Sequence, residues 1–160
     1  MNTPEIHWPD QYHPDRCAVH VVNRLEMDVT CEQAWHKLVR PLDWPNWYPN
    51  ASNVELINTT TEALAKGNRF RWKTFGVTIE CKVEECKPFE RLAWSSESFG
   101  MKVYHAWLLQ PTATGCIVLT EETQKGFIPR IAKILMPKRM HKFHQIWLEN
   151  LNKVARPKGT

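Results

Sequence analysis

The sequence lacks any apolar run of the roughly 20 residues that a transmembrane helix needs, and its first 16 residues lack the apolar segment of a secretory signal peptide. We therefore expect a cytoplasmic protein. It also lacks the HExxH and CxxC spacings of common metal sites and a glycine-rich phosphate loop, so we expect no metal and no other cofactor. The five cysteines are an odd number at scattered positions, which predicts reduced thiols.

What is present fits one globular domain: 160 residues, of which 42% are hydrophobic and 24% are charged. Residues 1–16 are polar, contain three prolines and show no hydrophobic period, so we expect a weakly ordered N-terminal arm. The domain itself is expected at residues 17–156, followed by a tail at 157–160. Eight tryptophans are an unusual number, and such large rings fill cores or wall apolar ligand cavities.

Charge is unevenly distributed along the chain, because Glu149 is the only acidic residue after Lys125. The simplest interpretation of this basic part is a solvated helix face. The alternative is transient contact with an anionic membrane surface or an anionic partner. Nucleic acid is not an expected partner, because no exposed aromatics are interleaved with the basic residues. The four basic residues that would make the anionic contact are Lys133, Lys138, Arg139 and Lys142.

Three elements are predicted before the alternating segment that begins at residue 52. Cys17–Met27 is rich in β-branched residues and predicts a first strand. Thr30 and Gln33 have the spacing of a capping box, which opens a helix that Pro41 ends. Leu42–Tyr48 predicts only a short helical turn, because prolines interrupt it.

Residues 52–124 alternate between apolar and polar side chains, which predicts six further strands joined by short antiparallel connections. A two-residue turn at 75–76 would place Arg71 opposite Glu80 on the solvent face. Helical sequence then begins at Gly126, and Pro137 divides it as the first turn of a second, longer helix. The long helix carries one apolar stripe that faces the sheet, and the pattern as a whole predicts an α+β fold. The stripe consists of Met140, Phe143, His144, Trp147, Leu151 and Val154.

Several short motifs occur in a characteristic order: Ala34-Trp35-His36-Lys37-Leu38, Leu42-Asp43-Trp44-Pro45-Asn46-Trp47-Tyr48-Pro49, Lys66-Gly67-Asn68-Arg69-Phe70, Lys87-Pro88-Phe89-Glu90-Arg91-Leu92-Ala93-Trp94, His105-Ala106-Trp107-Leu108-Leu109-Gln110-Pro111, Gly115-Cys116 and Trp147-Leu148-Glu149-Asn150-Leu151. In these motifs the chain resembles the helix-grip proteins of the START and birch-pollen-allergen superfamily. The specific resemblance is to the polyketide cyclase/dehydrase and lipid-transport branch, often called SRPBCC. It covers roughly residues 17–155. Cys116 departs from the family pattern, which usually has Thr after the Gly.

The resemblance implies a curved antiparallel sheet of about seven strands around a long C-terminal helix, with two short helices after the first strand. It also implies an apolar cavity between sheet and helix. Members bind lipids, sterols, polyketides or other hydrophobic molecules, and some catalyse cyclisation or dehydration without a cofactor. We therefore expect a monomeric or homodimeric carrier or sensor of a hydrophobic or amphipathic small molecule, such as a lipid or a polyketide-like compound.

The candidate ligand-binding residues are the side chains that would face this cavity, although the same aromatic stripes also suit a filled core. On the sheet they are Phe70, Trp72, Ile79, Trp94, Trp107 and Thr120. On the long helix they are Met140, Phe143, His144 and Trp147.

His105 is the candidate catalytic residue, because it interrupts an otherwise apolar inward face and an imidazole there can transfer a proton. Its partner depends on the register of the last hairpin. In one register Glu122 lines the cavity and Thr120 lies opposite His105; a one-residue slip places Glu121 there instead. The alternative function is therefore a cofactor-independent cyclase, dehydratase or hydrolase that uses His105 with a nearby Glu or Tyr104.

His141 and His144 lie three residues apart on the long helix, so both could approach one metal ion. No third ligand lies nearby in sequence, so we expect no metal at this pair.

Overall fold

The computed structural model describes residues 5–157. Seven strands and three α-helices follow one another along the chain, with a 3-10 helix at Pro41–Asn46. The elements are β1 (Val19–Met27), α1 (Cys31–Leu38), β2 (Ser52–Leu56), β3 (Arg69–Thr74), β4 (Val77–Lys87), β5 (Arg91–Ser98), β6 (Met101–Pro111), β7 (Cys116–Lys125), α2 (Phe127–Leu135) and α3 (Arg139–Ala155).

All seven strands form one antiparallel sheet in the order β1-β7-β6-β5-β4-β3-β2, so β1 and β2 are its two edges. Helix α3 packs against β1 and α1. The architecture is the predicted α+β helix-grip fold, in which a single long helix buries one face of an antiparallel sheet. We call the face that meets α3 the inner face.

The tight turn at residues 75–76 sets the register of β3 and β4 as predicted. Phe75 and Gly76 both have positive φ angles, as a two-residue hairpin turn requires. Arg71 lies opposite Glu80 on the solvent face, and their side chains form an ion pair. Further along β4 a bulge follows Val83, which returns Cys86 to the core side. On a straight strand Cys81 and Cys86 would point to opposite faces.

The hairpin of β6 and β7 adopts the register that directs Glu122 inward. Glu122 lies opposite His105, and Thr120 lies opposite Trp107. The first of the two predicted registers also directed Glu122 into the cavity. However, that register paired His105 with Thr120, whereas in the structure His105 pairs with Glu122. Glu121 points outward and contacts His20.

The helices begin where the sequence places their caps, with two differences in detail. The predicted capping box is present: the side chain of Thr30 accepts from the Gln33 backbone, and the side chain of Gln33 accepts from the Thr30 backbone. Pro41 not only ends α1 but also opens the 3-10 helix, where its fixed φ suits the first position. Pro137 lies in the turn between α2 and α3, not in the first turn of α3, which begins at Arg139.

The main core lies between the inner face and the helices, and aromatic rings dominate it. Its largest fully buried side chains include four tryptophans. These are Trp44, Trp94, Trp107 and Trp147. Within residues 5–157, no helix is both long enough and apolar enough to span a membrane.

The structure describes residues 5–16 of the N-terminal arm, and the predicted weak order of the arm stays a prediction. These residues lie across the outer face of the sheet, where the Tyr12 ring stacks on Tyr104 at a centroid distance of 5.2 Å. The Thr123 hydroxyl donates to the backbone oxygen of Tyr12, and the Arg91 guanidinium donates to that of Glu5. Burial of Tyr12 and the side-chain hydrogen bonds to backbone oxygens hold this segment against the sheet. The polar composition of the segment gave no sign of these contacts. The predicted tail at 157–160 lies outside the described residues except for its first member.

The expectation of five reduced thiols is wrong for one pair, because Cys31 and Cys116 form a disulfide. The two residues are 85 positions apart, so no sequence spacing indicated the pair. The fold brings the start of α1 against the start of β7, with the two Cα atoms 5.2 Å apart. Cys17, Cys81 and Cys86 remain free thiols.

Candidate functional site

A cavity of about 300 Å³ lies between the inner face of the sheet and helices α2 and α3. The sheet contributes Trp72, Ile79, Cys81, Trp94, Val103, His105 and Glu122 among others, and the helices contribute Ile128, Ala132, Met136, Met140, His144 and Trp147. The walls are mainly apolar and include a smaller number of polar side chains, which is the usual composition of a small-molecule site.

Trp147 is the centre of the aromatic wall. Its ring stacks on Tyr48 at a centroid distance of 4.3 Å and meets Trp72 at 5.6 Å. It also meets Trp107 edge to face at 4.9 Å. Because these rings are interlocked from α3, the sheet and the segment before β2, this side of the cavity is rigid.

Three polar residues of the wall, His105, Glu122 and His144, form one buried cluster. Nδ1 of His105 lies 3.2 Å from Oε2 of Glu122, and Nε2 of His144 lies 3.1 Å from the same oxygen. The other ring nitrogen of His105 shares a 2.7 Å hydrogen bond with the Thr120 hydroxyl. The Gln124 amide donates to Oε1 of Glu122 at 2.6 Å. We call His105, Glu122 and His144 the buried cluster.

Burial and mutual contact set the charge state of the cluster. Burial lowers the pKa of His105 well below its ordinary value, because a charged imidazole is disfavoured away from water. Burial alone would raise the pKa of the Glu122 carboxyl, but the adjacent His105 ring and hydrogen bonds from His144 and Gln124 lower it overall. At neutral pH the cluster is therefore one carboxylate held beside a neutral His105.

Some buried polar atoms in and beside the cavity wall have no partner among residues 5–157. They include Nδ1 of His144 and the indole Nε1 of Trp147, both in residues that line the cavity. A buried polar atom without a partner costs free energy unless something else satisfies it. A bound molecule with a polar group would satisfy these atoms.

Ile128 and Ala132 of α2 cover one end of the cavity together with Met136, which follows the helix. Other apolar side chains of α2 point outward. Ile134 is 79% exposed and Leu135 is 70% exposed. Gly126 positions this helix, because its φ of 115° makes the turn from β7 and a Cβ there would lie 2.2 Å from the Gly100 oxygen. We define the α2 patch as the exposed apolar side chains of α2 together with Phe99, which contacts Phe127 from the β5–β6 turn, and Met136, which follows the helix. Its members are Phe99, Phe127, Ile131, Ile134, Leu135 and Met136.

The family model described as "Polyketide cyclase / dehydrase and lipid transport" matches residues 18–156 of the chain. The chain belongs to this family. The match confirms the family that the sequence motifs resemble, and it spans the sheet, the cavity and all three helices. No curated protein matches the sequence at a significant level.

Solved structures show the same fold in other members of this structural class. The hypothetical protein jhp0584 from Helicobacter pylori is 28% identical, with a TM-score of 0.90 over 98% of this chain and 99% of that one. The di-domain ARO/CYC StfQ of the steffimycin biosynthetic pathway is 15% identical, with a TM-score of 0.69 over 86% of this chain and 50% of that one. The di-domain ARO/CYC BexL of the BE-7585A pathway is 16% identical, with a TM-score of 0.70 over 88% of this chain and 51% of that one.

This member of the polyketide cyclase/dehydrase family places the predicted site residues in two groups. Of the predicted ligand-binding residues, Trp72, Ile79, Trp94, Met140, His144 and Trp147 line the cavity, as do the predicted catalytic residues His105 and Glu122. Phe70, Trp107, Thr120 and Phe143 are not among the lining residues. Phe70 and Trp107 fill the core behind the wall, Thr120 holds His105, and Phe143 contacts Phe75. Ligand contact by the lining residues stays a prediction.

Two features of the site were missed from the sequence. The first is the set of possible metal ligands, for which the sequence suggested only His141 and His144. In the structure His144 instead lies with His105 and Glu122, and one ligand atom of each lies within 4.8 Å of the others. These residues lie on β6, β7 and α3, so no spacing in the sequence joins them. Tyr104, the predicted alternative partner of His105, lies on the outer face against Tyr12 and cannot reach the cavity.

Proposed function

We propose that this protein is a carrier that binds a hydrophobic or amphipathic small molecule, such as a lipid or polyketide-like compound, in the cavity. The observation that carries the proposal is a mainly apolar, aromatic-walled cavity that contains one buried polar cluster. Apolar walls favour an apolar body, and the cluster and the unpartnered Nδ1 of His144 favour one polar group on that body. The family membership supports the same ligand class.

Native mass spectrometry of the protein as purified tests ligand binding, followed by extraction and identification of anything retained. We expect a hydrophobic molecule bound at one per chain. Val21→Trp should strongly lower retention, because Val21 lines the cavity and an indole there would project into the space that the ligand occupies. Val22→Trp is the matched control, since Val22 is the next residue of β1 and is exposed.

Circular dichroism of both Val variants must first show the wild-type fold. Equal retention by the two folded variants would contradict binding in this cavity. So would a wild-type protein that binds no member of a broad panel of lipids and aromatic polyketides.

The α2 patch favours a carrier over a sensor, because it gives the cavity a docking surface. Six large apolar side chains are exposed beside the cavity end that α2 covers, a contiguity that is rare on a purely solvated surface. Exposed cations are interspersed with them in the sequence, among them Arg130, Lys133 and Lys138, and no acidic residue occurs between Lys125 and Glu149. We therefore propose that the α2 patch docks on an anionic membrane surface, where the ligand enters or leaves. A second copy of the chain fits less well, because two such basic patches would repel each other.

Co-sedimentation with vesicles tests this docking. The protein should bind vesicles that contain phosphatidylserine, with affinity that falls as salt rises. Ile134→Asp combined with Leu135→Asp should weaken binding at least about tenfold, because burying each of these side chains is worth roughly 1.5–3 kcal/mol. Ile57→Asp is the control, an exposed isoleucine beside edge strand β2. Equal binding by both variants, or concentration-dependent dimers that the double substitution disrupts, would overturn membrane docking.

The alternative predicted from the sequence, a cofactor-independent cyclase, dehydratase or hydrolase, retains one observation in its favour. Nδ1 of His105 contacts Glu122 within the cavity wall. However, the other nitrogen of His105 is held by Thr120, so both ring nitrogens are already engaged. A His105 that exchanges a proton with a substrate must first give up one of these two contacts, which is why we favour the carrier.

The cytoplasmic location predicted from the sequence remains a prediction. The Cys31–Cys116 disulfide argues against a cytoplasmic location, because disulfides are rare in compartments that keep thiols reduced.

A further inference from the structure

We propose that the buried cluster of His105, Glu122 and His144 is a binding site for one divalent transition-metal ion, such as Zn²⁺ or Fe²⁺. Two imidazoles and one carboxylate are a donor set that such ions take in proteins, with the remaining coordination positions left to water or a ligand. This inference goes beyond the carrier function and does not depend on it.

The spacing of the inner atoms suits one ion. Bonds of about 2.0–2.1 Å in a tetrahedral arrangement place neighbouring ligand atoms roughly 3.3 Å apart. In the structure Oε2 of Glu122 lies 3.2 Å from Nδ1 of His105 and 3.1 Å from Nε2 of His144. The two imidazole rings stack with their centroids 4.8 Å apart, and one nitrogen of each lies within 4.8 Å of the other and of the Glu122 oxygen.

In two of the three proposed ligands, the nitrogen or oxygen that would not bind the ion is hydrogen-bonded to a neighbouring residue, as is usual for metal ligands. Nε2 of His105 is hydrogen-bonded to the Thr120 hydroxyl, which leaves Nδ1 free of its proton when Nε2 donates. Oε1 of Glu122 accepts from the Gln124 amide, which leaves Oε2 for the ion. Thr120 and Gln124 therefore act as positioning residues that orient the ligands from β7.

The burial and the charge of the cluster also favour a bound cation. All three side chains are almost fully buried, and the described residues give Glu122 no Lys or Arg partner. A buried carboxylate without an opposite charge is costly, and a divalent cation supplies that charge. Because all three residues line the cavity, an open coordination position would face the space where the ligand binds. An oxygen atom of the ligand is the group that such a position would take.

Cobalt titration of the full chain, after treatment with a chelator, tests the proposal. We expect one equivalent of Co²⁺ to produce visible absorption bands of a low-symmetry site, which Zn²⁺ then displaces. Glu122→Gln and His144→Gln should each weaken binding about 100-fold or more, because loss of a mere outer-shell partner already costs 10–100-fold. His141→Gln is the matched control, since His141 lies on the same helix but is exposed.

Three results would overturn the site. The first is a wild-type protein that takes up no equimolar Co²⁺ or Zn²⁺, which would leave the cluster as a hydrogen-bonded network alone. The second is an equal affinity loss in His141→Gln and His144→Gln. The third is a strong near-ultraviolet charge-transfer band, which would assign the ion to a cysteine thiolate. If Glu122→Gln does not fold, His105→Gln and the wild-type spectrum decide the question.

Discussion

Trp147→Ala is expected to lower the free energy of unfolding by about 3–5 kcal/mol, the range seen when a buried tryptophan is truncated. Trp147 is 1% exposed and lies where α3 meets the sheet. Its ring contacts Tyr48, Trp72 and Trp107, so truncation removes the central ring of the aromatic wall. Its indole nitrogen has no partner in residues 5–157, so the loss arises from packing and not from a broken hydrogen bond. Urea denaturation followed by circular dichroism measures it.

Trp8→Ala is the comparison for this result. Trp8 is only partly buried and packs on the outer face against Tyr104 and His20. Its loss should cost less than about half as much, because a partly exposed ring removes less apolar area from water. If both substitutions reduce stability equally, the aromatic wall is not the main stabilising unit of the fold.

Reduction of the Cys31–Cys116 disulfide is expected to lower the free energy of unfolding by about 2–4 kcal/mol. The bond closes a loop of 85 residues, and such a constraint restricts the unfolded chain more than the folded one. Denaturation with and without dithiothreitol measures the difference. Thiol titration of the unreduced, denatured protein should find three thiols, because two of the five cysteines are bonded.

The Cys31→Ala and Cys116→Ala double variant provides the control. Its stability should not change when dithiothreitol is added, since its remaining cysteines are free in the wild type. Five thiols in the unreduced wild-type protein would contradict the disulfide.

The sequence predicted most of the fold because local rules set it. A two-residue turn at 75–76 leaves one register for β3 and β4, so the pairing of Arg71 with Glu80 followed from the position of the turn. The capping box at Thr30 is equally local. The hairpin of β6 and β7 has a longer connection, and Glu121 and Glu122 are chemically identical. Only the side on which the aromatic core packs decides between them.

The candidate site was harder to predict because its parts come from distant elements. His105 and Glu122 are brought together by strand register, but His144 joins them only because of the rotation and translation of α3 on the sheet. The helical spacing of apolar residues predicts neither the rotation nor the translation of α3. The same argument applies to Cys31 and Cys116, whose contact depends on how α1 lies across the end of β7. The α2 patch could not be predicted for a different reason. An apolar run in a sequence suggests a buried segment, and only the structure shows that these side chains are exposed.

The density of indole rings also has an optical consequence. Trp72, Trp94 and Trp147 line the cavity, and Trp44 contacts all three within 5.5 Å between ring centroids. Excitation energy absorbed by one ring passes readily to its neighbours at such distances, so these tryptophans emit as a coupled group. A molecule that enters the cavity and touches one ring changes the emission of the whole group. The chain therefore carries a built-in fluorescent reporter of its own occupancy, and ligand screens need no added dye.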